Sequence, residues 1–297
     1  MRVAFVSLAV ALTAGAAVAE ERPRIVAVNY PLAFMAEALV GEAAEVVFPV
    51  PDGVDPSFWR PSVADISMMQ SSDLILLSGA GFAAWIDRVS LPRSRLVDTS
   101  SDYFDRFIAT GTITHSHGDG GEHSHEGTAT YTWLDPELAM AQATAVAAAI
   151  TARDLAPAAD VGAALADLTA QLQALDEEAE SALADAGETV FIATHPRYQY
   201  LARAYDLTVL SLEWEAGAMP NAAELSALEA MVADQGADVL IWEATPPDAA
   251  LEAVASLGLA SVTFPPLAMP PQSGGFAEAF AASVSALAEA VPDGSTN

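Results

Sequence analysis

The chain contains no cysteine and no lysine. Without cysteine it can form no disulfide, no thiolate metal site, no cysteine nucleophile and no lipid-modified N-terminal cysteine. Its 11 basic residues, all arginine, stand against 40 acidic ones, a formal net charge of −29. A surface so short of cations repels phosphate, which makes nucleic acid and anionic membranes poor partners and favours cations. Charged residues make up only 17% of the 297 residues and hydrophobic ones 53%. That composition forms a core, excludes a disordered chain and suits two lobes. Long apolar runs are scarce too. The one that stands out, Val3–Val18, follows Met1-Arg2 and ends in Ala17-Val18-Ala19 before Glu20-Glu21. It is short of the roughly 20 apolar residues of a membrane span and reads as a secretory signal peptide cleaved after Ala19. The mature protein is therefore expected in the periplasm of a bacterium, not membrane-anchored. Its 40 acidic and 10 basic residues would carry a charge of −30.

What remains is a succession of short apolar strands and helical runs. Arg24–Asn29, Glu45–Val50, Asp73–Ser78 and Arg95–Asp98 read as strands separated by helices, and residues 20–135 are expected to form one α/β lobe with a parallel sheet. Residues 110–130 are rich in Thr, Ser, Gly and His and read as a mobile loop, with its histidines inside 112–127. Asp135-Pro136 opens a helix. Helical sequence continues to about Asp185, broken at Pro157, and no glycine falls between Gly162 and Gly187. The segment 136–187 is expected to be a stiff helical connector, with Asp176–Glu180 on its solvated face. A second α/β lobe, 188–297, follows, with strands at Thr189–Thr194, Val209–Leu212, Asp238–Glu243 and Ser261–Phe264. Ligands of open α/β sheets bind beyond the carboxyl ends of the strands. The residues to inspect are therefore Ser57, Tyr131, His195, Glu213, Glu243 and Pro265. Trp133 and Trp242 sit in apolar runs and are expected in the core.

Four motifs occur in order: Pro51-Asp-Gly-Val-Asp-Pro-Ser-Phe-Trp-Arg-Pro-Ser-Val-Ala-Asp65, Tyr131-Thr-Trp-Leu-Asp-Pro136, His195 with Tyr200-Leu-Ala-Arg-Ala-Tyr-Asp-Leu207, and Pro265-Pro-Leu267. Together they resemble the zinc and manganese (ZnuA/TroA-like) solute-binding proteins of bacterial ABC importers, over essentially the whole mature chain. The resemblance implies two α/β lobes joined by a rigid helix, with metal held between them by three histidines and a carboxylate. At those four positions this chain has Ser57, Tyr131, His195 and Pro265. Only His195 is a good zinc ligand, and tetrahedral zinc wants four nitrogen, sulfur or carboxylate donors. Either Asp55, Glu213, Glu215 or Glu243 fills the vacancies, giving an oxygen-rich site suited to manganese or calcium, or the cleft takes a larger solute. In the second case Trp59, Tyr131, Tyr198, Trp214, Arg60 and Arg197 would line it. A cleft that binds nothing tightly is the third reading.

Four of the five histidines lie in two His-x-His pairs, His115/His117 and His123/His125, among Asp119, Glu122 and Glu126. Neutral imidazoles so clustered suit zinc or copper, with affinity limited by the entropy of ordering a Gly-rich segment. The expected function is delivery of a transition metal, zinc first and manganese or another divalent ion otherwise, or of a metal complex, to the permease of an ABC importer. The chain would act as a monomer, with the histidine segment as an accessory metal site. The alternative is a periplasmic metallochaperone or interaction protein that kept the fold and lost the interlobe site. A hydrolase is not indicated: neither His-Glu-x-x-His nor Gly-x-Ser-x-Gly is present.

Overall fold

The structure is a computed structural model that describes residues 22–115 and 123–292. The proposed cleavage site after Ala19 and His117 lie outside these residues. The first lobe begins with β1 (Arg24–Ala27), α1 (Tyr30–Val40), β2 (Glu45–Val47), α2 (Val63–Ser71), β3 (Leu74–Leu77) and β4 (Leu96–Asp98). All neighbours pair in parallel, in the order β2-β1-β3-β4. Ile25, Val26, Leu74 and Ile75 are fully or almost fully buried, the pattern of strands covered on both faces. Local signals set the helix starts. The side chain of Asn29 accepts from Leu32 N at 3.2 Å, and Ser62 and Asp65 form a reciprocal capping box. β2 stops at Val47, short of the expected Val50, because Pro49 has no N–H to give the ladder.

The expected loop at 110–130 is a two-stranded antiparallel hairpin on its described flanks. β5 (Ala109–His115) pairs with β6 (His123–Thr128), and the register sets His115 opposite His123 and Ile113 opposite His125. Polar composition hid this ribbon, because its Thr, Ser, Gly and His residues carry no period-two apolar alternation.

Helices α3 (Pro136–Thr151) and α4 (Ala158–Leu183) come next. Asp135 caps α3, accepting from Glu137 N and Leu138 N. Both helices pack on α1, and α4 also packs on α8 (Phe276–Glu289). The long helix α4 therefore belongs to both lobes. Leu168, Leu172, Leu175, Ala179 and Leu183 form its buried stripe. The second lobe comprises β7 (Val190–Ala193), α5 (Gln199–Ala204), β8 (Thr208–Ser211), α6 (Ala222–Gln235), β9 (Val239–Trp242), α7 (Asp248–Ala255), β10 (Ala260–Thr263) and α8. Its parallel sheet runs β10-β9-β7-β8. Trp133 and Trp242 are core residues. The chain is an α/β protein of two parallel-sheet lobes, as the sequence predicts. No helix among the described residues is long and apolar enough to cross a membrane.

Candidate interlobe site

The carboxyl ends of the second lobe's strands hold the charged groups. β7 is wholly apolar (Val-Phe-Ile-Ala) and delivers His195 and Arg197 just past its end. His195 Nδ1 lies 3.0 Å from the carbonyl oxygen of Trp214. A carbonyl can only accept, so Nδ1 carries the proton, and in the neutral ring Nε2 keeps the lone pair. β9 ends at Trp242 and is followed by Glu243, whose backbone N–H donates to Thr194 Oγ1 at 3.2 Å. Across the seam, the loop after β2 brings Asp55. Trp85 Nε1 donates to Pro56 O at 3.2 Å and holds that loop in place.

Arg197 connects the two sides. Its Nη2 donates to Asp55 Oδ2 at 2.8 Å and its Nε to Glu243 Oε2 at 3.4 Å. Its guanidinium also lies over the Tyr131 ring, 4.6 Å from the centroid. The side chain is only 9% exposed. Burial disfavours its charge, but Tyr131, Glu243 and Asp55 outweigh that and hold its pKa above the ordinary arginine value. The other oxygen of Asp55, Oδ1, accepts from Ser57 N at 2.8 Å and Ser57 Oγ at 2.6 Å. Burial is the main reason the Tyr131 hydroxyl is pushed far above its usual range, with Arg197 pulling the other way. One arginine thus satisfies a carboxylate from each lobe.

This arrangement settles where the expected residues lie. Tyr131, Glu243 and Pro265 line an interlobe cavity of about 770 Å³ together with Asp55, and Ser57 orients Asp55. His195 stands at the seam, 4.0 Å from Glu243. Arg197 is not a lining residue but the bridge itself. Trp59 does not line the cavity; it is buried edge-on against Trp85, 5.1 Å between centroids, because its apolar surface completes the first lobe's core. Trp214 is likewise core, packed at 5.6 Å on Trp242, and Tyr198 is buried with its hydroxyl donating to Phe264 O at 2.5 Å. Glu213, Glu215 and Arg60 are exposed and do not line the cavity. No group of three or more His, Asp or Glu side chains able to hold a metal exists among the described residues. Of the acids the sequence offers as alternative ligands, Glu213 and Glu215 are exposed, and Asp55 and Glu243 are paired with Arg197. The backbones of His115, His123 and His125 lie on the hairpin.

Sequence reasoning missed a second bridge. Arg203, on α5 of the second lobe, donates to Asp135 Oδ2 at 2.9 Å. Beside it Tyr200 Oη donates to Ala129 O and accepts from Ile108 N, gripping the base of the hairpin. The signal was present in the sequence, since Asp135 caps α3 and Arg203 lies in the Tyr-x-x-Arg helix. Nothing in a linear pattern pairs residues 68 positions apart.

The family model described as ZnuA, zinc-uptake complex component A, periplasmic, matches residues 25–290. A curated relative, the zinc-binding protein AdcA of Streptococcus pyogenes, is 22% identical over 238 residues, covering 76% of this chain and 46% of that protein. The chain thus spans about half the length of the curated relatives it matches. Among solved structures, the Zn(II)-bound ZnuA-like domain of Streptococcus pneumoniae AdcA superposes with a TM-score of 0.76 at 17% identity, covering 91% of this chain and 99% of that one. The Ni2+ complex of the solute-binding protein FpvC of Pseudomonas aeruginosa gives 0.73 at 20% identity, covering 91% and 97%. At these identities the structural likeness establishes the fold.

Proposed function

Because this chain belongs to the periplasmic zinc-uptake complex component A family, a family of non-enzymatic metal carriers, we propose that it is the solute-binding component of a metal ABC importer whose interlobe cleft does not take a bare divalent ion. It collects zinc through the histidine hairpin and presents it to the permease. The observation that carries this reading is the Arg197 bridge. A guanidinium already lies between the two acids and the tyrosine of the cleft. A divalent ion there would have to displace it and repay its own dehydration with His195, Asp55 and Glu243 alone. Ser57 and Pro265, at positions where the family resemblance implies ligands, add nothing suited to zinc. The hairpin supplies the nitrogen donors the cleft lacks, with zinc ahead of manganese because imidazole suits the softer ion. Export by a cleaved leader, action as a monomer and docking to a permease complete the reading. The sequence run at Val3–Ala19 and the periplasmic family membership support the first of these.

The test is zinc and manganese calorimetry on the mature protein with and without residues 112–127. Most zinc binding should vanish with the deletion, and manganese binding should be weak in both. Tight one-to-one zinc binding that survives the deletion would place the metal back in the cleft and overturn the reading.

A further inference from the structure

With its cation position taken by Arg197, the interlobe region still contains the cavity of about 770 Å³. That volume lies within the range of small-molecule sites, about 300–1,000 Å³, and far exceeds what one ion fills. Its place is the one open α/β sheets reserve for ligands, beyond the carboxyl ends of β9 and β10. We propose that this cavity is a binding site for an organic cation, an ammonium or guanidinium group carried on an apolar body.

Charge is the first argument. The lining includes the carboxylates Asp55, Glu243 and Glu278 and no cationic side chain. At the inner end, Asp55 and Glu243 set two negative charges against the single positive charge of Arg197. Glu243 Oε2 takes the Arg197 bond and the neighbouring His195 contact. Glu243 itself is partly exposed and lines the cavity. One net negative charge thus faces the cavity. This favours a monocation and penalises an anion.

The wall is the second argument. It is largely apolar, with Val54, Leu267, Met269 and Ala279 among its residues. It is also held in shape before any ligand arrives. Trp133 Nε1 donates to Pro266 O at 2.8 Å, Tyr30 N to Ala268 O at 2.9 Å and Tyr198 Oη to Phe264 O. Pro265, Pro266, Pro270 and Pro271 stiffen the same segment. Between these anchors Leu267 has φ +57, a conformation a leucine adopts only when its surroundings enforce it. A wall pinned from three elements loses little entropy on binding. Met269 supplies a side chain that adapts to an irregular apolar body.

The proposal goes beyond the zinc reading and does not require it. It is tested on the metal-stripped mature protein by calorimetry against aryl- and alkylamines and the carboxylates of the same skeletons. Amines should bind saturably, with the matched carboxylates weaker by about tenfold or more. Glu243→Gln should weaken amine binding by about tenfold or more. Ala279→Phe, which leaves every charge in place and puts a phenyl ring into the cavity, should weaken it by about tenfold or more while the variant melts as the parent does. The proposal is overturned if no amine binds, if carboxylates bind as well as amines, or if Ala279→Phe leaves amine binding unchanged. Zinc titration of the same samples separates the two readings. Amine binding without zinc binding would remove the hairpin reading and leave this one, and zinc binding without amine binding would do the reverse.

Discussion

The two lobes share a strand order and differ in what they put at the strand ends. Counted from its own first strand, each sheet runs second, first, third, fourth. In the first lobe the chain just past β1, β3 and β4 carries Asn29, Ser78 and Thr99, all neutral and buried. Gln142 of α3 joins them, its amide donating to Ser78 O, Ser78 Oγ and Thr99 Oγ1 at 3.1–3.3 Å. In the second lobe the same ends carry His195, Arg197 and Glu243. The neutral set closes a core against α3. The charged set reaches across the seam to Asp55 and borders the cavity. One topology thus yields a structural end and a binding end, and the chemistry of a few residues past the strands decides which is which.

The largest effect that would test this contrast is at Arg197. Arg197→Met keeps an apolar stem and removes the cation, leaving Asp55 and Glu243 with no positive charge between them. Removing one member of a buried ion pair costs about 3–5 kcal/mol. Asp55 is 30% exposed, so solvent relieves part of this and the lower figure applies. Chemical denaturation should show a loss of about 3 kcal/mol, and added zinc or manganese should recover part of it by occupying the vacated place between the two acids. A variant as stable as its parent would mean that the bridge does not hold the lobes together.

A smaller effect is expected at the neutral end. Gln142→Leu removes three long hydrogen bonds, but it also removes Oε1, a buried acceptor with no partner among the described residues. Loss and relief partly offset, and the net cost should be about 1 kcal/mol, with no change in zinc or amine binding. If Gln142→Leu destabilised as much as Arg197→Met, or altered ligand binding, the division into structural and binding ends would fail.

The sequence reveals the first of these ends far better than the second. Apolar runs such as Leu74–Leu77 and Val239–Trp242, caps such as Asn29 and Asp135, and the glycine-poor run behind α4 each follow from local physics, so the two lobes and their linking helix are readable residue by residue. His195, Glu243 and Tyr131 are readable as seam residues because they follow strands or sit in a motif. The role of Arg197 is not. A guanidinium two residues beyond His195 looks like a pocket wall until the fold brings Asp55 to it from 142 positions away. Trp59 misleads for the converse reason: an aromatic beside a loop motif looks like a ligand contact, and only the packed core shows that it meets Trp85. The hairpin is hidden because its polar residues carry no period-two apolar alternation.

The smallest expected effect appears only at high pH and compares a seam tyrosine with one in the first lobe. Tyr131 and Tyr103 are both buried, and burial raises both hydroxyl pKa values well above the ordinary value of about 10. A pKa raised by folding means that the unfolded chain gives up the proton first. The stability it contributes is complete below about pH 10 and is lost as pH climbs toward the folded value, at up to about 1.4 kcal/mol per pH unit for each tyrosine. Unfolding free energy should therefore be flat from neutral pH to about pH 9 and fall beyond it, and Tyr131→Phe or Tyr103→Phe should each make the fall shallower. A stability curve that stays flat above about pH 10, or one whose fall Tyr131→Phe and Tyr103→Phe leave unchanged, would show that these hydroxyls are not buried in solution.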